Sequence, residues 1–152
     1  MSEEKQTSAN TNIPQQPAIM INAQYIKDLS LEIPHAPEIF SEMNEAPKVD
    51  IQVDVQAKNI KDNLYNVSLI LKMNGDIKNK KLFILELEYA VAVALNVPQE
   101  HLQLILMVEI PRLIFPFARQ VMTNCMVEGG LPPLMINPID FMAIYQQRNQ
   151  AK

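Results

Sequence analysis

Glycine is scarce in this chain, which has only three glycines among 152 residues, against a norm of roughly 7% in globular proteins. Loops that cradle phosphate groups need glycines, because their backbone must turn tightly and approach the ligand closely. The scarcity therefore excludes the known nucleotide-binding motifs. We expect a protein that uses no nucleotide and no other cofactor.

Cysteine and histidine are almost as rare. The one cysteine, Cys125, cannot form an internal disulfide, and the two histidines, His35 and His101, are too few for the ligand set of a zinc site. Neither histidine stands in a known catalytic spacing with a carboxylate or with Cys125. The sequence therefore predicts no metal site, no catalytic residue and a protein that is not an enzyme.

Clustered positive charge and long apolar runs are also missing. The net charge is −4 and the isoelectric point is about 5.2, which disfavours nucleic acid as a partner because phosphate binding needs clustered Lys and Arg. No run of 18 uncharged apolar residues occurs, so we expect no direct membrane insertion. The start of the chain lacks the basic and apolar regions of a secretory signal, and a cytoplasmic location is predicted.

Alternation of apolar and polar residues predicts four strands, near residues 25–33, 49–56, 65–73 and 81–93. Short polar turns join the last three, so the strands should form an antiparallel sheet with one buried face and one face in water. Residues 34–47, with three prolines and several apolar side chains, are predicted to form a long ordered loop.

Two helices are predicted after the strands. Apolar residues recur at helical spacing from Leu102 to Met122, and Gly129-Gly130 is a typical helix end. Pro111 and Pro116 predict that this long helix is kinked or divided into two parts. Asn137 and the proline after it predict the start of a second, C-terminal helix. The predicted fold class is therefore α+β.

The two ends of the chain are predicted to lie outside this domain. Residues 1–24 are rich in polar residues and proline and have the composition of a disordered tail. The folded domain should span residues 25–147, and residues 148–152 should form a short C-terminal tail.

Acidic side chains are concentrated on one predicted face of the sheet. The alternation places Asp28 and Glu32 on the outer face of the first strand, and Ile84 and Glu86 on the outer face of the fourth. A solvated face with acids for solubility explains three of these residues. It explains the exposed isoleucine least well, which favours a docking surface as the alternative.

Four segments of the chain resemble one family, the SecB protein-export chaperones. In chain order they read YIKDLSLE with PHAP from Tyr25, FILE with YA from Phe83, PRLIFPFAR from Pro111, and GGLPPL with NPIDF from Gly129. The resemblance covers residues 25 to about 147, which is nearly the whole chain outside the predicted N-terminal tail.

The resemblance implies an ATP-independent chaperone that holds unfolded precursor polypeptides and delivers them to the SecA motor. It also implies a monomer with a four-stranded antiparallel sheet and two helices, assembled as a homotetramer that is a dimer of dimers. In this family SecA recognises the acidic outer face of the sheet, and the matching positions here are Asp28, Glu32, Ile84 and Glu86.

The family's client groove lies between the long loop, the link between the helices and the last helix. The matching apolar residues are Ile39, Phe40, Met43, Leu131, Leu134, Ile136, Phe141 and Tyr145. A groove of this kind would bind extended apolar segments without regard to their sequence, because its affinity comes from buried area.

Two other functions remain open from the sequence. The first is a general or antitoxin-linked cytosolic chaperone of the same fold that does not serve SecA. The second is a protein that binds a small apolar molecule in the groove. The pairing of Ile84 with Glu86 favours delivery to SecA over both.

Overall fold

Four long antiparallel strands form one sheet in the computed structural model of the protein, which describes residues 17–151. The strands are β1 (Ile19–Glu32), β2 (Lys48–Lys61), β3 (Leu64–Ile77) and β4 (Lys80–Leu95), in the order β1-β4-β3-β2 across the sheet. The loop between β1 and β2 contains one short 3-10 helix, Glu38–Glu42. The predicted α+β class and the four-stranded sheet are confirmed.

Two helices follow the sheet. The first, α1, runs Gln99–Glu128, and the second, α2, runs Phe141–Gln150. The side chain of Asp140 caps α2 by accepting a hydrogen bond of 3.0 Å from the backbone N–H of Ala143, which satisfies one of the free donors of the first turn. The two predicted helices are thus confirmed in number and order.

The core lies between α1 and the two central strands. Side chains of β3 and β4 that face the helix, such as Leu69, Leu71 and Leu87, are almost fully buried, and their register partners lie directly across on the same face. From α1, Ile114 and Met122 pack against this layer. Apolar residues therefore alternate along the central strands because only one face of the sheet is buried under the helix.

A π-helical stretch interrupts α1 close to the prolines at which the sequence predicts a kink. Residues Ile105–Glu109 are π-helical, and the backbone N–H of Ile110 donates to the carbonyl of Ile105, five residues earlier. Pro111 follows at once and can donate no hydrogen bond, so the wider turn accommodates its ring. The helix then continues through Pro116 without ending, and the alternative of two separate helices is wrong.

The apolar character of α1 exceeds what the sequence suggested. Over its most apolar 18 residues the mean hydropathy is 1.3, so this helix is long and apolar enough to cross a membrane. Of that stretch, 39% is buried within the protein, where it packs on the sheet. Core helices pass the same test of length and composition, and the packing of α1 accounts for its buried side.

The boundaries of both predicted tails need correction. β1 begins at Ile19, so residues 19–24 are strand and not tail. Two one-residue bulges, at Asn22 and Lys27, interrupt its register, and they hid the alternation in this part of the sequence. At the other end α2 continues to Gln150. The rest of the predicted tails, residues 1–16 and Lys152, lies outside the described residues.

Gly75 in β3 stands against the ring of Phe83, and this contact supports a prediction. A Cβ at position 75 would lie 2.3 Å from Cε1 of Phe83, whose side chain is fully buried and cannot move aside. We expect Gly75→Ala to lower the free energy of unfolding by about 1–3 kcal/mol, measured by urea denaturation. The neighbouring half-buried Asn74 is the control, and Asn74→Ala should change stability by about 0.5 kcal/mol or less. Equal stability of Gly75→Ala and the parent would contradict the packing described here.

Candidate functional site

The four residues of the predicted docking face lie together on the side of the sheet that faces away from the helices. In the register of β1 with β4, Glu32 is directly opposite Ile84, and Ser30 is opposite Glu86. Opposite residues of an antiparallel pair project to the same face. Asp28 lies two residues before Ser30 in β1 and therefore projects to this face as well. Asp28 and Glu32 are exposed, whereas Ile84 and Glu86 on the inner strand are half-buried. We call these four residues the acidic face.

Lysines border the acidic face on two sides. On β3, Lys72 lies directly opposite Glu86. On β1, Nζ of Lys27 lies 3.8 Å from Oε1 of Glu88, the residue opposite Asp28. A partner that binds the acidic face meets an isoleucine with Glu32 directly opposite it and Glu86 two residues farther along the same strand.

Three of the eight predicted groove residues belong to the core of the monomer. Ile39, Leu131 and Phe141 are each 4% exposed or less. Phe141 packs edge-on against Phe115 of α1, with 6.1 Å between ring centroids. The loop and the link between the helices use these side chains to attach to the core, so they offer no surface to a client.

The other five predicted groove residues remain accessible. Phe40 is 40% exposed, and its ring lies 3.7 Å from the position of a Cβ on Gly130, so the long loop contacts the start of the link between the helices. Met43, Leu134 and Ile136 are half-buried. Tyr145 is half-buried in α2 and lines a cavity of about 610 Å³, together with Leu102 and Met107 of α1. Phe40 does not line that cavity, so the predicted groove residues occupy more than one place.

Two exposed apolar residues of β2 were missed by the sequence analysis. Val49 and Ile51 are 42% and 37% exposed, although their side chains project to the same face of the sheet as the core. Their alternation predicted burial, but β2 is an edge strand, and α1 packs on β3 and β4 and does not cover this end of β2. The only signal in the sequence was their position directly after the long loop.

At the same positions, the backbone groups on the outer edge of β2 have no partner within residues 17–151. The N–H of Leu95 donates to the carbonyl of Asn63 at 2.9 Å, which fixes the odd residues of β3 as those bonded to β4. Bonding alternates along an antiparallel strand, so the even residues of β2 bond to β3. The odd residues of β2, from Val49 onward, therefore direct their N–H and carbonyl groups away from the sheet.

One side chain from α2 reaches this edge. Nη1 of Arg148 donates to the carbonyl of Val55 at 2.7 Å, and its other terminal nitrogen forms an ion pair with the carboxylate of Asp54. The second carboxylate oxygen of Asp54 accepts a hydrogen bond of 3.3 Å from Gln56. Arg148 falls in the predicted C-terminal tail, and no local pattern in the sequence predicted this contact.

Comparison with known proteins identifies the family. A family model described as "Preprotein translocase subunit SecB" matches residues 12–152.

The chain belongs to the SecB family. A protein-export protein SecB of Rhodospirillum rubrum is 45% identical over 151 residues, covering 99% of this chain and 92% of the relative. The protein of the same name from Paramagnetospirillum magneticum is 46% identical over 143 residues, covering 93% of this chain and 92% of the relative. The resemblance noted in the sequence is confirmed.

A solved structure shares the fold. The Mycobacterium tuberculosis SecB-like chaperone, in complex with a ChAD peptide from the HigA1 antitoxin, superposes with a TM-score of 0.68 and covers 80% of this chain and 91% of that chain. Its sequence is only 12% identical, so the likeness concerns the fold alone.

Members of the SecB family are chaperones, and this chain is accordingly a chaperone and not an enzyme. The side chains that the sequence analysis considered for catalysis agree with that role. Burial, followed by the neighbouring Glu128 carboxylate, raises the pKa of the Cys125 thiol above its ordinary value, which makes it a weak nucleophile near neutral pH. Within residues 17–151, no group of His, Cys, Asp and Glu side chains could hold a metal ion.

Proposed function

We propose that this SecB-family protein is an ATP-independent cytoplasmic chaperone that holds unfolded secretory precursors in an apolar groove and delivers them to the SecA motor. The observation that supports this function best is the pair of exposed apolar side chains, Val49 and Ile51, at the free edge of β2. Such a surface suits a partner that is extended, apolar and not yet folded.

The proposed client groove combines side chains with backbone groups. Phe40 and the half-buried Met43, Leu134, Ile136 and Tyr145 contribute apolar area, and the exposed Val49 and Ile51 add to it. An extended polypeptide gains about 25 cal/mol for each Å² of apolar surface that it buries. It can also bond to an unpaired strand edge. Neither contribution depends on the client's sequence, as a chaperone for many precursors requires.

The acidic face is the proposed SecA contact. Glu32 and Glu86 are neighbours of Ile84 on this face, and Asp28 lies farther along it. This combination suits a partner that has a basic surface and an apolar side chain to place on the isoleucine. The face lies on the opposite side of the sheet from Val49 and Ile51. One protein could therefore hold a client and contact SecA at the same time.

A homotetramer is the proposed assembly. On α1, Leu113 and Phe117 are 49% and 54% exposed and lie one turn apart on one side of the helix. On β1, the other edge strand, Ile21, Ile26 and Leu29 are exposed. They project to the same face as the core, opposite Val93, Tyr89 and Leu87, at the margin that α1 leaves uncovered. These are two separate apolar surfaces, and two kinds of contact between copies would produce a dimer of dimers.

The tetramer can be tested by light scattering. We expect a mass four times the 17.3 kDa of the chain at micromolar concentration. Phe117→Glu should reduce this mass, because it places a charge in an apolar contact. Gln146→Glu adds the same charge on the exposed side of α2 and is the control. A parent protein of about 17 kDa would sink the proposal.

The SecA contact can be tested by reversing one charge of the acidic face. We expect Glu86→Lys to weaken SecA binding, because it puts a positive charge against a basic partner. It also places a lysine opposite Lys72, which should cost about 0.2–1 kcal/mol of stability, so Glu86→Gln is measured beside it. The control is Asp50→Lys, which changes the same outer face at the far edge of the sheet.

If Glu86→Lys bound SecA as tightly as the parent does in low salt, the acidic face would not be the SecA contact. It would favour the alternative of a general or antitoxin-linked chaperone. An equal loss of affinity in Asp50→Lys would mean that only the total charge matters.

The client groove can be tested by truncating its accessible side chains. We expect Phe40→Ala and Leu134→Ala each to weaken retention of an unfolded precursor by about 1–2 kcal/mol, without changing SecA binding. Ile39→Ala is the matched control from the adjacent, buried position. It should lower the free energy of unfolding by about 2–5 kcal/mol. The groove proposal fails if Phe40→Ala and Leu134→Ala destabilise the protein by such amounts and leave precursor affinity unchanged.

A further inference from the structure

The edge of β2 is divided into a free part and an occupied part. Val49, Ile51 and Val53 direct their backbone N–H and carbonyl groups outward, and within the described residues no backbone or side-chain group is bonded to them from that side. At Val55, the next outward-facing residue, the carbonyl is already bonded to Arg148. The free part therefore ends at one identifiable hydrogen bond.

We propose that Arg148 sets the length of the strand-pairing site on β2, and so determines how many residues of an extended client can bond to it. This inference rests on the proposed function, since it concerns the same client site. The occupant is an extended, non-native polypeptide strand that pairs with residues 49–53.

Arg148 is bound to the edge of β2 by two contacts, which fix it more firmly than a single surface contact would. Its guanidinium bonds to a backbone carbonyl and to the Asp54 carboxylate at once, and paired contacts of this kind fix the orientation of the group. At the other end of α2, Phe141 is buried in the core. The helix is thus held at both ends, and the Arg148 side chain occupies the carbonyl of Val55, which a longer client strand would need for pairing.

Side chains beside the free part define the chemistry of the strand that fits. On the core side, Val49 and Ile51 offer exposed apolar surface. On the outer side the exposed charged residue between them is Asp50. A strand with apolar residues at alternate positions and lysines between them would match both sides, through apolar contact and charge complementarity.

The experiment uses two labelled peptides of alternating valine and lysine, with five and nine residues, titrated into the full-length protein and followed by NMR. The parent should bind both with affinities that agree within about twofold, because Arg148 stops pairing after residue 53. Arg148→Met removes the donors and keeps much of the side-chain length. In that variant the longer peptide should bind at least about fivefold tighter than the shorter, since Val55 and Ala57 become available for hydrogen bonds.

Two controls test whether Arg148 limits the length of the pairing site or only anchors α2 to the sheet. Asp54→Asn removes the charge but keeps an oxygen that can accept a hydrogen bond from Arg148, and it leaves the Val55 carbonyl as the second acceptor. This variant should therefore behave as the parent does. A nine-residue peptide that is N-methylated at the amides facing β2 should lose the gain seen with Arg148→Met, because it cannot donate to the strand.

Several outcomes would overturn the inference. One is a parent that binds the longer peptide more tightly, and another is an Arg148→Met variant that changes both affinities equally. A third is slow amide exchange at residues 49, 51 and 53 before peptide is added, which would show that a second copy occupies the edge. Failure of either peptide to bind would also overturn it. The proposed function is judged separately, by retention of a full-length unfolded precursor in the parent.

Discussion

The width of one helix limits how much of this sheet can be buried. Four strands spaced by about 4.8 Å span roughly 15 Å between the outermost axes, whereas a helix with its side chains is only about 10 Å across. α1 therefore buries the facing side chains of β3 and β4 completely and leaves parts of β1 and β2 accessible. The exposed apolar residues on both edge strands follow from this mismatch. The second helix is too short to cover them, and it reaches only the part of β2 near Val55.

In the proposed function, this incomplete cover gives the two faces of the sheet different roles. Within residues 17–151 no helix packs on the outer face, and this face carries Ile84 and its acidic neighbours. The inner face is apolar, and its uncovered margins can bind other chains. In the proposed function, one margin contacts clients and the other contacts further copies of the protein. A second long helix over the sheet would give a more stable monomer and leave no surface for either.

The sequence predicted which face of the sheet a side chain projects to better than it predicted whether a helix packs over that side chain. Period-two alternation placed Asp28, Glu32, Ile84 and Glu86 on one side, and the register of β1 with β4 brings them together. The same alternation assigned Val49 and Ile51 to the core, because it reports which side a residue faces and carries no information about what lies above it. Ile39 and Phe141 were assigned to the groove because both lie in segments that match the family's groove. Their burial depends on long-range packing, which local patterns do not contain. Arg148 was missed for a related reason, since its partner Val55 is 93 residues away in the chain.

The two bulges in β1 affect how this edge can grow. They divide the strand into three short regular ladders, 19–21, 23–26 and 28–32, and each bulge increases the local twist. A strongly twisted edge built from short pieces is a poor template for the flat, repeated pairing by which sheets extend into fibrils. In the proposed function the protein meets unfolded chains constantly, so this hazard applies to it. The bulges allow β1 to keep apolar residues at its edge while discouraging open-ended polymerisation with its clients or with itself.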